Sequence, residues 1–137
     1  MNNGLGAALH GGRWNRVGTE VIYTSTSVSL AALEILVHFD ILPRDFMLTE
    51  ILLPVGAKVR HLKIKDLPIG WDSEVAISET QDLGETWVDA GLQLALSVPS
   101  SIVPWERNFV INARHSNFSK IRFGPSVPFR FDSRLKK

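Results

Sequence analysis

Apolar residues follow two rhythms along this chain, and a single polar residue interrupts the first. Residues 30–37 read Leu-Ala-Ala-Leu-Glu-Ile-Leu-Val, apolar throughout except for Glu34. At about 3.6 residues per turn, Leu30, Leu33, Val37 and His38 share the face of Glu34, while Ala31, Ala32, Ile35 and Leu36 fill the others. Apolar on every side, this segment predicts a buried helix. The hydroxyl-rich run over residues 24–29 supplies its N-caps, and it should fade near Asp40, ahead of Pro43. A lone carboxylate in such a helix is costly unless it is paired, hydrogen-bonded or neutralised. Glu34 is therefore a candidate for chemistry.

The second rhythm is that of short strands. Residues 20–25 are rich in β-branched and aromatic side chains. Residues 46–53 and 58–64 predict two more strands, parted by Pro54-Val55-Gly56. Residues 93–98 and 108–111 read as core strands, and 127–131 as the last. Residues 1–12 are glycine-rich and turn-like, and 67–72 predict a loop. Residues 78–90 predict one or two short helical turns around Gly84, with Trp87 facing inward. Many short strands with one strong helix imply an α+β fold: a compact, mixed, mainly antiparallel split sheet with few helices.

Composition narrows the classes without choosing one. A chain of 137 residues predicts a single domain with one proper core. A net charge of +1 gives no global signal for nucleic acid or an anionic membrane. The basic residues near the C-terminus, Arg122, Arg130, Arg134, Lys136 and Lys137, read as a solvated tail. The absence of cysteine excludes disulfides, thiolate zinc sites and a cysteine nucleophile. His10, His38, His61 and His115 show no metal-ligand spacing. No apolar run approaches the roughly 18–20 residues of a membrane span, and the first residues do not resemble a signal peptide. A soluble, cytoplasmic protein is expected.

Three polar residues precede or lie within the apolar helix. Arg13 sits in Gly11-Gly12-Arg13-Trp14-Asn15, where glycine lets backbone approach a ligand and arginine offers a planar donor fork. Tyr23 is the only tyrosine and can present a flat ring and a hydroxyl. Glu34 could bind Arg13 in a buried ion pair instead of serving chemistry. Ser100 lies between Pro99 and Pro104, in a loop that the prolines stiffen. It reads as a local hydrogen-bonding residue or, with His115, as a hydrolase pair; no Gly-x-Ser-x-Gly elbow surrounds it. There is no P-loop and no dinucleotide fingerprint.

In this order, Gly-Gly-Arg-Trp-Asn (11–15), Val-Ile-Tyr-Thr-Ser (21–25), Leu-Ala-Ala-Leu-Glu (30–34) and Val-Pro-Ser (98–100) resemble the RES domain family. Asn108, the Asn-Ala-Arg-His segment ending at His115, and the closing Phe-Arg-Phe-Asp-Ser-Arg-Leu (129–135) extend the likeness over nearly the whole chain. The arginine, glutamate and serine for which the family is named match Arg13, Glu34 and Ser100.

The resemblance implies a toxin of a bacterial type II toxin–antitoxin pair, with a fold like the ADP-ribosyltransferase and diphtheria-toxin catalytic domain. It implies NAD as substrate, no metal, and cleavage of the nicotinamide–ribose bond by hydrolysis, phosphorolysis or ADP-ribosyl transfer. The implied partner is an Xre-type helix-turn-helix antitoxin, with a homodimer inside that complex as one assembly, and no direct contact with nucleic acid or membrane. Glu34 would stabilise a ribosyl cation and Tyr23 would stack on nicotinamide. Arg13 would bind a phosphate or ribose oxygen, or orient Glu34. Ser100 would bond the ribose or position Glu34, and Trp14 and Asn15 are further expected ligand contacts. Two features depart from the family: an upstream Leu-Tyr-Arg-Ile-like strand is expected to be missing, and Ala113 replaces a common proline. The alternative expectation is therefore a truncated or degenerate domain that only binds the antitoxin.

Overall fold

The computed structural model describes residues 10–136. Most of the glycine-rich opening, residues 1–9, and Lys137 of the basic tail lie outside them. The strands are β1 (Val21–Ser25), β2 (Phe46–Leu48), β3 (Ile51–Leu52), β4 (Val59–His61), β5 (Ala95–Pro99), β6 (Arg107–Asn112), β7 (Arg122–Phe123) and β8 (Val127–Phe129). The helices are α1 (Val28–Leu36) and α2 (Ser78–Ala90). The main sheet runs β1-β6-β5-β4, antiparallel except for the parallel edge pair β4–β5. Ribbons β2–β8 and β3–β7 stand apart from it. The molecule is α+β with a split, mainly antiparallel sheet, as the strand pattern predicts.

Side-chain alternation gives the main sheet two apolar faces. Leu96, Val98, Val110 and Val21 point to one, where they meet Trp14, Leu62, Trp87 and Val88. Ile111 points to the other, where Leu94, just before β5, packs with it and Ile121 and with the half-buried Ile22, Ile51, Leu53 and Phe118. The first face also carries the polar residues considered below.

Three elements differ from the sequence expectation. Residues 46–53 do not form one strand: Phe46–Leu48 pairs with β8 and Ile51–Leu52 with β7, so each half follows its own partner. Pro128 is tolerated in β8 because a two-stranded ribbon has a side that needs no N–H. Strand character over 58–64 is confined to β4, after which the chain turns into a 3-10 segment, Ile64–Asp66. The last strand stops at Phe129; Phe131 turns inward, edge-on to Phe46 at 5.9 Å and to Phe129 at 4.9 Å.

The helices depart further. Residues 78–90 form one continuous helix, in which Thr80, Gly84, Trp87 and Val88 make a buried stripe at helical spacing. Gly84 does not break it. A Cβ there would lie 1.6 Å from the Trp14 carbonyl oxygen, so the glycine is a contact point for a crossing backbone. Helix α1 is not buried all round: Val28, Leu33 and Val37 are 49%, 38% and 55% exposed. Leu30 and Leu36 are buried, while Val28, Ala31, Ala32 and Ile35 line a small apolar hollow of about 60 Å³ against β2 and β8. The helix has two inner faces and a dry-looking outer one that meets water. Its start is fixed by Ser27, whose hydroxyl accepts from the Leu30 N–H at 3.1 Å. Neither helix is long and apolar enough to cross a membrane.

Candidate functional site

Helix α1 carries Glu34 across to the end of β5, where Ser100 follows Pro99. Ser100 Oγ donates to Glu34 Oε1 at 2.8 Å. The same oxygen accepts from the Ile102 and Val103 N–H groups, both at 3.1 Å. With two donors aimed at its lone pairs, its one proton is committed to Glu34. The loop is closed by Ser100 N–H on the Glu106 carbonyl at 2.9 Å and Glu106 N–H on Val103 at 2.9 Å. Ser100 is fully buried and Glu34 half-buried. Ser100 therefore positions the carboxylate, and Oε2 of Glu34 has no hydrogen bond among the described residues.

Tyr23 stands on the first face of β1; the residue is 41% exposed, although its hydroxyl end is embedded. The hydroxyl donates to Asn15 Oδ1 at 2.5 Å and accepts from the Trp14 N–H at 3.1 Å. Burial pushes the phenol well above its ordinary value, against the smaller opposing effects of the Trp14 N–H and the Arg13 charge. Gly12 makes room for the ring: a Cβ there would lie 2.6 Å from the hydroxyl oxygen. Trp14 and Asn15, expected as ligand contacts, lie beneath this surface. Trp14 is 3% exposed and belongs to the core, and Asn15 is enclosed, with its Nδ2 on the Thr19 carbonyl at 3.1 Å. They hold Tyr23 rather than face the solvent.

Arg13 is half-buried and bonds backbone. Its Nη1 donates to the Trp71 carbonyl at 2.6 Å and its Nη2 to that of Ser73 at 2.7 Å. Desolvation by burial lowers its pKa, while the charges of Glu34, Asp72 and Tyr23 oppose that shift. The guanidinium thus feels Glu34 without touching it. The ion pairs among the described residues are Arg16–Asp82 and Arg134–Asp132, so the alternative, an Arg13–Glu34 contact pair, is not formed. Sequence reading gave residues 67–72 only as loop. The role of the Trp71 and Ser73 carbonyls as the seat of Arg13 escaped it, because any residue supplies a carbonyl. Gln81 of α2 escaped for a similar reason; its Nε2 donates to the Gly12 carbonyl at 3.0 Å and so braces the segment before Arg13.

The structure brings Arg13, Tyr23, Glu34 and Ser100 into one region, since Arg13 feels the charges of both Tyr23 and Glu34 and Ser100 bonds Glu34. It does not bring Ser100 to His115. Register pairs Pro99 with Arg107 and Ala95 with Ile111, so Ser100 lies at one end of β6 and His115 beyond the other. Roughly 15 Å of strand separates those ends. His115 Nδ1 instead accepts from the Asn117 N–H at 3.0 Å. No cluster of three metal-ligating side chains occurs among the described residues.

Comparison of sequences names the class to which this α+β domain with its serine-held carboxylate belongs. The chain belongs to the RES domain family, which matches residues 1–132. It is similar to "Toxin Res" of Photorhabdus laumondii, with 41% identity over 98% of this chain and 88% of that protein. "Toxin Res" of Yersinia enterocolitica is 39% identical over 97% of this chain and 89% of its own length. A Sphingobium protein named "Prs ADP-ribosylating toxin" is 36% identical over 97% of this chain and 85% of its own.

Proposed function

We propose that this protein is a toxin that consumes NAD by cleaving the nicotinamide–ribose bond, held in check by an Xre-type antitoxin. The observation that carries this reading is the Ser100–Glu34 hydrogen bond, which fixes the carboxylate while leaving its second oxygen without a hydrogen bond among the described residues. In the reaction the bond from the ribose anomeric carbon to the pyridinium nitrogen breaks, and its electron pair leaves with neutral nicotinamide. The ribose becomes an oxocarbenium-like cation, which an acceptor oxygen captures with loss of a proton. A fixed carboxylate stabilises that cation more than the ground state. Tyr23 offers a ring face on which nicotinamide stacks. Arg13 fixes the Trp71–Ser73 backbone at the rim and contributes positive charge toward the pyrophosphate.

The name of the Sphingobium relative supports ADP-ribosyl transfer to a protein as one fate of the cation; water and inorganic phosphate are the others. The test is nicotinamide release from NAD, with and without phosphate or a protein acceptor. Wild-type protein should release nicotinamide, and Glu34→Ala should lose at least about a hundredfold, the scale of one well-placed electrostatic group. Equal release by the variant would sink the reading. Co-purification with a helix-turn-helix protein but no release under any condition would favour a binding module without turnover.

A further inference from the structure

Asn108 lies on β6 opposite Ser25 of β1 and Val98 of β5. Alternation places Tyr23, Ser25, Asn108 and Val98 on one face, with Ser100 one step beyond the end of β5. The middle strand thus sets Asn108 diagonally between the Tyr23 ring and the Ser100–Glu34 pair. Ser25 Oγ donates to Asn108 Oδ1 at 2.7 Å. That bond fixes which way the amide points. Its oxygen serves Ser25, and its Nδ2 has no hydrogen-bond partner among the described residues. The residue is half-buried. A donor kept in one orientation and left without a protein partner is completed by water or by a ligand acceptor.

We propose that Asn108 is a substrate-binding residue, donating Nδ2–H to the carboxamide oxygen of nicotinamide, with Ser25 as its positioning residue. This rests on the NAD-cleaving reading above. The ring stacked on Tyr23 and the ribose facing Glu34 bracket Asn108, and the acceptor nearest that junction on the pyridine side is the carboxamide. Asn108 would then fix the rotation of the pyridine ring in its own plane. It recognises the nicotinamide half of the dinucleotide and has no contact with the ADP-ribose half.

Steady-state kinetics of nicotinamide release by the full chain test this, with free nicotinamide and ADP-ribose as inhibitors. Asn108→Ala should raise the KM for NAD about tenfold and weaken nicotinamide inhibition by a similar factor, the scale of one neutral hydrogen bond. Its inhibition by ADP-ribose should stay within about twofold of wild type, since that contact is not made. Asn108→Asp keeps the shape and the Ser25 bond but replaces the donor by an acceptor; it should lose as much, and it decides the matter if the alanine variant fails to fold. Ser25→Ala should give the same pattern at smaller size. Unchanged KM and nicotinamide inhibition in an active background would overturn this inference alone, as would weakened ADP-ribose inhibition. A wild-type chain that releases no nicotinamide takes down the reading beneath it and this inference with it.

Discussion

The two helices invert what their sequences suggest. Helix α1 is apolar at every position but Ser29 and Glu34, yet it leaves Val28, Leu33 and Val37 open to water. Helix α2 is polar along most of its length, yet it anchors the core through Trp87 and Val88, which are 2% and 5% exposed. The hydrophobicity of a segment therefore does not rank its burial; the shape of what it meets does. α2 fits because Gly84 lets the Trp14 backbone lie against it. α1 borders a hollow, buries only Leu30 and Leu36, and is tied to the end of β5 by the Glu34–Ser100 bond. One helix is built for stability, and the other holds a carboxylate out over a sheet.

Substitutions break this contrast in order of size. Gly84→Ala should be the most damaging, with a loss of more than about 4 kcal/mol in denaturant unfolding, because neither backbone can give way. Trp87→Ala should cost about 3–5 kcal/mol by the same measurement, for a large side chain removed from the core. Ser100→Ala should cost about 1–3 kcal/mol, since it leaves the Ile102 and Val103 N–H groups unbonded. It should also lower nicotinamide release by freeing Glu34 to rotate. Leu33→Ser and Val37→Ser should change stability by less than about 0.5 kcal/mol. A larger loss there, dependent on protein concentration, would mean that the outer face of α1 is covered by a second copy.

An alkaline titration sharpens the other side of the contrast, the Tyr23 platform. This is the only tyrosine, so phenolate absorbance reports on one residue. Its folded value lies above the ordinary 10.0, chiefly through burial of the hydroxyl, so the unfolded chain gives up the proton first. The stabilisation this implies is whole below pH 10 and is lost as pH rises through the folded value. Phenolate should therefore appear together with unfolding rather than ahead of it. A reversible phenolate signal near pH 10 in the folded protein would show that the hydroxyl is not held by Asn15 and Trp14.

Several residues of the candidate site were legible in the sequence as polar groups in unusual places. Glu34 stood out because a lone carboxylate among leucines and alanines is costly if the helix is buried. Tyr23 and Ser100 were legible as a sole aromatic hydroxyl on a strand and a serine between prolines. The burial of Trp14 and Asn15 was not, because adjacency to Arg13 in sequence says nothing of which side chains turn inward. Arg13 was legible as a donor fork but not as the clamp on the Trp71 and Ser73 carbonyls, which lie 58 and 60 residues away.

By itself, the sequence determined most of the elements and the chemistry on offer. Local rules settle these: strand alternation around Tyr23 and within β5 and β6, the Ser27 cap, the lone Glu34, and the choice of a mainly antiparallel α+β class. Only the tertiary structure decided which helix is buried, that Ser100 and not Arg13 holds Glu34, and that Ser100 and His115 stand at opposite ends of β6. Those outcomes depend on register and close contact between residues far apart in the chain, and neither local propensity nor spacing carries that information.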